Sequence, residues 1–286
     1  MPELPEVETV ARGLRAVIVG RRIVSVALGK TDFMDDPAAL EEQLPGRRIE
    51  AVERYGKFLV LRLSRGNRDA APAALLVHLG MTGHLAAQAA AQPCAKHTHA
   101  CFDLDDGREL RYTDPRRFGR MAVFTEAALA GELAPLGADP LEVSTEEFCE
   151  RIRSRGARIK ALLLDQRVLR GLGNIYADES LWRARIHPEQ TGARLTRAQA
   201  AALRRALQQI LLRAIALRGS SISDYVDAEG RQGDYQRRHR AYGRKGKPCA
   251  RCKTAIRRIV VAGRSSFFCP RCQRRPQGRR KIRRNA

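Results

Sequence analysis

The sequence predicts an α+β protein with a β-rich N-terminal part, a helical middle part and a four-cysteine hairpin near its end. Three observations predict this order. Strand-like apolar runs dominate residues 1–130, and a helical period replaces them from Ser144 onwards. Two Cys-x-x-Cys pairs then follow the helical part, at residues 249–252 and 269–272.

The N-terminal part begins with a short helix. Pro5 suits a first helical turn, and Val7, Val10 and Leu14 recur at helical spacing. Strand-like runs follow, namely RRIVSVAL, KFLVLRL, AALLVHLG and a pair between residues 99 and 124 joined by an Asp-Asp-Gly turn. Residues 1–130 are therefore predicted to form one β-rich domain with one N-terminal helix.

The middle part has the signals of helices. Ser144 precedes Glu147 by three residues, which is the spacing of a capping box. The clearest helix starts near Thr196, carries one apolar stripe and stops at Gly219. We expect a helical domain over residues 140–219 and a loop or linker over residues 220–248, which are rich in Gly, Ser and charge.

The four cysteines at the end of the chain predict a metal site. Sixteen residues separate the two Cys-x-x-Cys pairs, and four thiolates at this spacing can close a tetrahedron around one structural Zn²⁺. Between the pairs, IRRIVVAGRSSFFC alternates like a hairpin with a Gly-Arg turn. Disulfides or a redox Cys-x-x-Cys are the alternatives. The proposed ligands are Cys249, Cys252, Cys269 and Cys272; Cys94, Cys101 and Cys149 lack such spacing and are expected to be ordinary reduced cysteines.

The charge is strongly basic but unevenly distributed. The formal net charge is +22, and residues 231–286 carry 20 Lys and Arg against one acid, Asp234. Such a block attracts polyanions such as DNA, although residues 274–286 alone could be a solvated basic tail. No apolar stretch is long enough to cross a membrane, and the acidic N-terminus is unlike a signal peptide. We therefore expect a cytoplasmic protein without a membrane partner.

Four strings and the terminal finger together resemble one family. MPELPEVET, HLGMTG, YTDPRRFG and GLGNIYADE occur in the order found in formamidopyrimidine-DNA glycosylases, and the resemblance covers residues 1–273. It implies an N-terminal β-sandwich, a helix-two-turns-helix domain at 140–219, a lesion-capping loop at 220–248, a zinc finger at 249–273 and DNA bound between the domains. It also implies a monomeric bacterial repair enzyme, associated with the nucleoid, that acts on double-stranded DNA containing oxidised bases.

The resemblance implies a catalytic set of four residues, Pro2, Glu3, Lys57 and Arg264. Once Met1 is removed, the amine of Pro2 would attack the sugar C1′ and form an iminium, which favours β-elimination. An α-amine has a lower pKa than a lysine side chain and is therefore the readier nucleophile. Glu3 would transfer protons at the sugar, and Lys57 and Arg264 would assist sugar and phosphate chemistry. Without the resemblance, Pro2 would be a stiff helix entry and Lys57 a surface lysine.

The resemblance also implies a set of DNA contacts. Met81, Arg116 and Phe118 would fill the gap left by an extruded base, with Arg116 on the opposite cytosine. His97, Asn174 and Tyr242 would contact the backbone; core packing or ordinary turn roles are the alternatives for these residues. The segment RSRGARIK departs from the usual pattern, which leaves open whether Arg155, Arg158 or Lys160 contacts a phosphate.

Three functions compete at this point. The first is a glycosylase with AP lyase activity that removes 8-oxoguanine and formamidopyrimidines and cuts the abasic strand by β,δ-elimination. The second is an enzyme of the endonuclease VIII type, which prefers oxidised pyrimidines. The third is a zinc-ribbon DNA-binding protein without catalysis. MPELPEV and DPRRFG favour the first over the second, and the presence of Pro2, Glu3 and Lys57 disfavours the third.

Overall fold

The structure is a computed structural model that describes residues 1–64, 73–222 and 225–275. Most of the basic tail expected over residues 274–286 lies outside the described residues, which end at residue 275. The described chain divides into two compact units. One comprises the described residues within 1–139, 170–172 and 211–238, and the other comprises those within 140–169, 173–210 and 239–275.

The first unit is a β-sandwich with an N-terminal helix, as expected. Its elements are α1 (Leu4–Ile18), β1 (Ile23–Leu28), α2 (Pro37–Gln43), β2 (Ile49–Tyr55), β3 (Phe58–Leu63), β4 (Ala73–His78), β5 (His84–Ala89), β6 (Thr98–Leu104), β7 (Arg108–Thr113), β8 (Arg120–Thr125) and α3 (Glu126–Leu133). Two antiparallel four-stranded sheets have the orders β1-β6-β7-β5 and β2-β3-β4-β8.

One apolar core joins the two sheets and α1. Leu14 of α1, Phe102 and Leu110 of one sheet, and Leu61 and Leu75 of the other belong to the same buried cluster. Every second side chain of a strand faces this core, because successive side chains of a strand point to opposite faces. A second, smaller cluster packs α3 on the outer face of the sheet that contains β3 and β4.

The second unit is helical and ends in a hairpin. Its elements are α4 (Thr145–Arg153), α5 (Ile159–Leu164), α6 (Asn174–Ala184), a 3₁₀ turn (Gly192–Arg194), β9 (Arg257–Val261) and β10 (Arg264–Phe268). Ser144 accepts the backbone N–H of Glu147 at 3.1 Å, which is the expected start of α4. The expected Gly-Arg turn lies one residue earlier, because Ala262 and Gly263 both have positive φ and connect the two strands.

The longest helix belongs to both units. This helix, α7 (Arg197–Ala216), begins after Thr196 as expected, and its residues up to Ile210 belong to the second unit. Its predicted stripe is buried, including Leu203, Leu207 and Leu211. The helix is followed by Gly219, whose φ of +77° places it in the left-handed region that favours glycine.

Candidate functional site

The backbone at the start of α1 is anchored from Glu3 onwards. Met1 is 51% exposed, whereas Pro2 and Glu3 are buried. The Glu3 N–H donates to the Glu6 carboxylate at 2.9 Å, and the Leu4 N–H donates to the Gly171 carbonyl at 2.9 Å. Met1 is therefore accessible for removal, and the amine exposed on Pro2 would start from an anchored backbone.

Glu6 connects this N-terminus to the segment after α7. Its carboxylate accepts the Ser220 N–H at 2.7 Å, and its backbone carbonyl accepts the Tyr225 hydroxyl at 3.3 Å. A Cβ on Gly219 would lie 2.6 Å from a Glu6 carboxylate oxygen, so only glycine fits there. Glu6 in the first turn of a helix would, by its position in the sequence, only favour the helix N-terminus electrostatically. Ser220 lies more than two hundred residues from Glu6, so no local pattern in the sequence predicts this contact.

Lys57 lies in the turn between β2 and β3 and is half-buried. The next residue, Phe58, pairs with His78 of β4. Burial, together with the positive charges of Lys57 and Arg120, lowers the pKa of His78 to about 4. His78 is thus neutral at physiological pH, and its Nδ1 accepts the Gly80 N–H at 3.1 Å.

Two loops present the residues expected to fill the DNA stack. Met81 is 41% exposed and Phe118 is 56% exposed, which is unusual for large apolar side chains. The Arg116 guanidinium lies 4.5 Å from the centroid of the Phe118 ring. A Cβ on Gly80 would lie 2.4 Å from the Phe118 carbonyl, so the two loops touch where a glycine is required. The structure therefore brings Met81, Arg116 and Phe118 onto adjacent loops.

Asp114 organises both loops and was missed by the sequence analysis. It is fully buried, and its carboxylate accepts the backbone N–H groups of Arg116 at 3.2 Å and Gly119 at 3.0 Å. It also accepts the Thr82 hydroxyl at 2.5 Å. A signal was present, because an Asp that precedes Pro at a strand end commonly orders a turn through its side chain.

His97 lies beside the same turn, in the loop before β6. Its backbone has a φ of +69°, and its carbonyl accepts the Asp114 N–H at 3.0 Å. The side chain is half-buried, and its ring lies 6.3 Å from that of His99. The structure therefore positions His97 through the same aspartate that positions Arg116.

In the second unit, Lys160 is buried in an ion pair. It is 0% exposed, and its Nζ donates to Asp178 Oδ1 at 2.7 Å and to the Asn174 carbonyl at 3.0 Å. The expected phosphate contact by Lys160 needs correction, because a fully enclosed ammonium cannot reach a phosphate. Arg155 and Arg158 are exposed instead.

Asn174 begins α6 after a glycine-rich turn. Its Oδ1 is buried and has no hydrogen-bond partner among the described residues. A buried polar atom without a partner is costly, and a ligand that donates a hydrogen bond would satisfy it. The geometry of this turn therefore fits a hydrogen-bond donor on a ligand.

Helix α6 also holds the segment that contains Tyr242. The buried Glu179 carboxylate accepts the backbone N–H groups of Arg240, Ala241 and Tyr242, at distances between 2.9 and 3.0 Å. The Tyr242 ring packs against Phe267 of β10 with a centroid distance of 5.5 Å. Tyr242 is therefore fixed between α6 and the hairpin.

The four terminal cysteines form a candidate metal centre. Their Sγ atoms all lie within 4.8 Å of one another, and those of Cys252 and Cys269 are 3.4 Å apart. Four thiolates at a Zn–S distance of about 2.3 Å place their sulfurs roughly 3.8 Å apart. The donor set and its spacing therefore fit one structural Zn²⁺. Trp182 of α6 donates its indole N–H to Cys249 Sγ at 3.4 Å and so connects the centre to the helical domain.

The expected catalytic arginine lies at the tip of the hairpin. Arg264 is exposed and begins β10 directly after the turn. The zinc centre at the other end of the strands holds the hairpin and thereby positions this guanidinium.

Within residues 1–64, 73–222 and 225–275, no helix is both long enough and apolar enough to cross a membrane.

Three family models match this chain. The N-terminal domain of formamidopyrimidine-DNA glycosylase matches residues 1–121, the H2TH domain of the same family matches residues 136–226, and a zinc finger found in FPG and IleRS matches residues 246–275. Together they cover most of the chain.

Individual relatives agree with these matches. The formamidopyrimidine-DNA glycosylase of Chloroflexus aggregans is 48% identical over 282 residues, covering 96% of this chain and 98% of the relative. A variant of the Lactococcus lactis FPG protein, solved with DNA containing Fapy-dG, has a TM-score of 0.87 and 34% identity, covering 96% of this chain and all of that one. A MutM complex with DNA containing carbocyclic 8-oxo-G has the same values and coverage.

Proposed function

This chain belongs to the formamidopyrimidine-DNA glycosylase family, and we propose that it excises oxidised purines through a Schiff base at Pro2 and cuts the abasic strand by β,δ-elimination. It is a DNA glycosylase with AP lyase activity and acts on duplex DNA that contains oxidised bases. The bacterial relatives support a bacterial enzyme. We propose that it works as a monomer in the cytoplasm, associated with the nucleoid.

One observation carries the assignment of the nucleophile. Pro2 is buried beside two residues whose backbone N–H groups are anchored, while Met1 before it is exposed. Removal of Met1 would create a secondary amine on an already ordered backbone, and its attack on C1′ would give an iminium that acidifies the C2′ proton. We propose that Glu3 moves protons at the sugar.

Two further residues are assigned to the elimination steps. Lys57 and Arg264 are both cationic, and we propose that they stabilise the charge that develops on the sugar and its phosphates. Arg264 is exposed at the tip of the zinc-stabilised hairpin, a position that supports contact with a phosphate. Zinc at Cys249, Cys252, Cys269 and Cys272 would supply the fold of that hairpin and no chemistry of its own.

We propose that the exposed loop residues fill the duplex after the lesion is extruded. Met81 and Phe118 are large, apolar and exposed, which suits insertion between bases. Arg116 can donate two hydrogen bonds to the base opposite the lesion. His97 lies beside them, and Asp114 holds this arrangement together.

In the second unit, we assign the phosphate contacts to surface groups. Asn174 and Tyr242 remain proposed backbone contacts, through the side-chain amide N–H of the first and the hydroxyl of the second, since a phosphate only accepts hydrogen bonds. Arg155 and Arg158 are exposed and are the proposed cations of this region. Lys160 acts indirectly, because its ammonium holds the carbonyl of Asn174 and the carboxylate of Asp178.

The proposal is tested with duplexes that carry a single lesion. One duplex contains 8-oxoguanine opposite cytosine and the other contains thymine glycol, and single-turnover excision is measured on each. We expect faster excision of 8-oxoguanine, with a one-nucleotide gap that has phosphate at both ends. Faster excision of thymine glycol would assign the chain to the endonuclease VIII type of function. Binding without excision of either base would identify a non-catalytic protein.

A further inference from the structure

Two cysteines outside the zinc centre lie close together in the sandwich. The Sγ atoms of Cys94 and Cys101 are 4.0 Å apart, and a carboxylate oxygen of Glu109 lies within 4.8 Å of both. Cys94 is exposed in the loop between β5 and β6, and Cys101 is half-buried on β6. Their spacing matches no metal motif, so ordinary reduced cysteines were expected at these positions. The fold nevertheless brings the two thiols together.

The loop that carries Cys94 is held over the sheet by one arginine. Arg111 of β7 is almost fully buried, and its guanidinium donates to the carbonyls of Ala90, Gln92 and Pro93 at distances between 2.7 and 3.3 Å. Arg111 is also the strand neighbour of Cys101. The two thiols therefore lie close together because Arg111 holds the loop that carries Cys94 next to Cys101.

This environment favours thiol chemistry over metal binding. Glu109 already accepts the Arg111 Nε at 2.6 Å, so its carboxylate is committed to an ion pair. A metal ion would have to displace that pair and lie beside a buried guanidinium. Oxidation of the two thiols, in contrast, leaves this ion pair intact. The cluster thus differs from the zinc centre, where all four candidate ligands are thiols.

We propose that Cys94 and Cys101 form an oxidation-sensitive pair that is converted to a disulfide by hydrogen peroxide. The Cys94 thiolate attacks one peroxide oxygen, which breaks the O–O bond and gives a sulfenic acid and hydroxide. The Cys101 sulfur then attacks the Cys94 sulfur, and the thiol proton leaves with the hydroxyl group as water. In total, two thiols are oxidised and one peroxide is reduced to two waters.

The two cysteines have different roles in this sequence. Burial, together with the neighbouring Cys94, raises the pKa of Cys101 to about 12. Cys101 is therefore a poor first nucleophile, and the exposed Cys94 reacts first. A disulfide requires the sulfurs to approach from 4.0 Å to about 2.05 Å. Rotation of the exposed Cys94 side chain can provide this movement while the loop backbone stays attached to Arg111.

The sequence offers a direct test by peptide mapping. Lys96 lies between the two cysteines, so trypsin places Cys94 in the peptide 69–96 and Cys101 in the peptide 97–108. The zinc-loaded full chain is treated with hydrogen peroxide at doses that leave Cys149 reduced, then alkylated and digested without reductant. We expect the two peptides to be joined, with the loss of two hydrogen atoms, and to separate on reduction.

Three variants make the result specific. Cys149→Ser is the matched control, because Cys149 is buried in the other unit, and this variant should form the same disulfide. Cys94→Ser should form none. Cys101→Ser should accumulate a Cys94 sulfenic acid that dimedone traps. The proposal is wrong if the wild-type peptides stay separate while Cys94 remains a thiol or becomes further oxidised, or if Cys94 pairs with a different cysteine.

Zinc analysis distinguishes the remaining alternative. We expect one zinc ion per chain in the wild type and in Cys94→Ser. A second zinc ion that is present in the wild type and lost in Cys94→Ser would overturn the disulfide in favour of a thiolate–carboxylate metal site. The modification is independent of the proposed repair function, since the mapping experiment contains no DNA.

Discussion

Replacing Lys160 by methionine tests whether the buried ion pair supports the second unit. Lys160 and Asp178 are both fully buried, and their charged atoms are 2.7 Å apart. In Lys160→Met, the carboxylate would keep only the Phe267 N–H at 2.9 Å as its partner. Breaking a buried pair by removing one member costs about 3–5 kcal/mol. Burial already raises the pKa of Asp178 to about 6, so without Lys160 the carboxyl either stays charged in the interior or takes up a proton at a cost. We expect a loss of this size.

The single tryptophan provides the assay. Trp182 lies on α6 against Cys249, so its fluorescence during urea denaturation reports on the second unit. Lys245→Met is the matched control, because Lys245 is exposed and such a surface change should alter the free energy of unfolding by less than ~0.5 kcal/mol. The double variant Lys160→Met/Asp178→Leu removes both charges and should recover much of the loss. The ion pair does not support the second unit if the free energy of unfolding of Lys160→Met lies within ~1 kcal/mol of the wild-type value.

Four further changes test the site. Arg116→Ala should reduce the preference for cytosine over adenine opposite 8-oxoguanine by ~1–3 kcal/mol, measured as a ratio of excision rates; an unchanged ratio removes Arg116 from that role. Glu3→Gln should abolish excision but leave duplex affinity nearly unchanged in a binding titration. Cys249→Ser should release zinc, seen by metal analysis, and lose specific lesion binding. Burial and Arg244 lower the pKa of His239 to about 4. The unfolded state therefore binds a proton at this histidine more tightly than the folded state does. The free energy of unfolding should fall as the pH decreases below 6.5, by ~2 kcal/mol at pH 5. His239→Gln should remove that part of the pH dependence.

Local patterns were sufficient to predict much of the architecture. Strand-like apolar runs predicted a β-rich N-terminal part, and the cysteine spacing predicted the metal centre, because each depends on residues close in sequence. The sandwich arrangement came from the family resemblance. The helix after Thr196 and the cap at Ser144 follow from the same kind of signal. The catalytic and DNA-contacting residues came from the family resemblance, and their roles stay predictions.

Contacts between distant residues could not be predicted in this way. The buried state of Lys160 depends on Asp178, which lies one helix later, and RSRGARIK by itself is typical of an exposed basic turn. The contact between Glu6 and Ser220 crosses almost the whole chain. The pairing of Cys94 with Cys101 depends on how Arg111 holds a loop. Each requires the tertiary fold, which brings together residues that no local period connects.

Trapping with borohydride tests whether the amine of Pro2 is the nucleophile. The purified protein is incubated with duplex that contains 8-oxoguanine, sodium borohydride is added, and the covalent adduct is digested and sequenced. Our account predicts that Met1 is absent from the active protein and that the reduced link joins the sugar C1′ to the nitrogen of Pro2. A link to Lys57, or full trapping by protein that retains Met1, would contradict it.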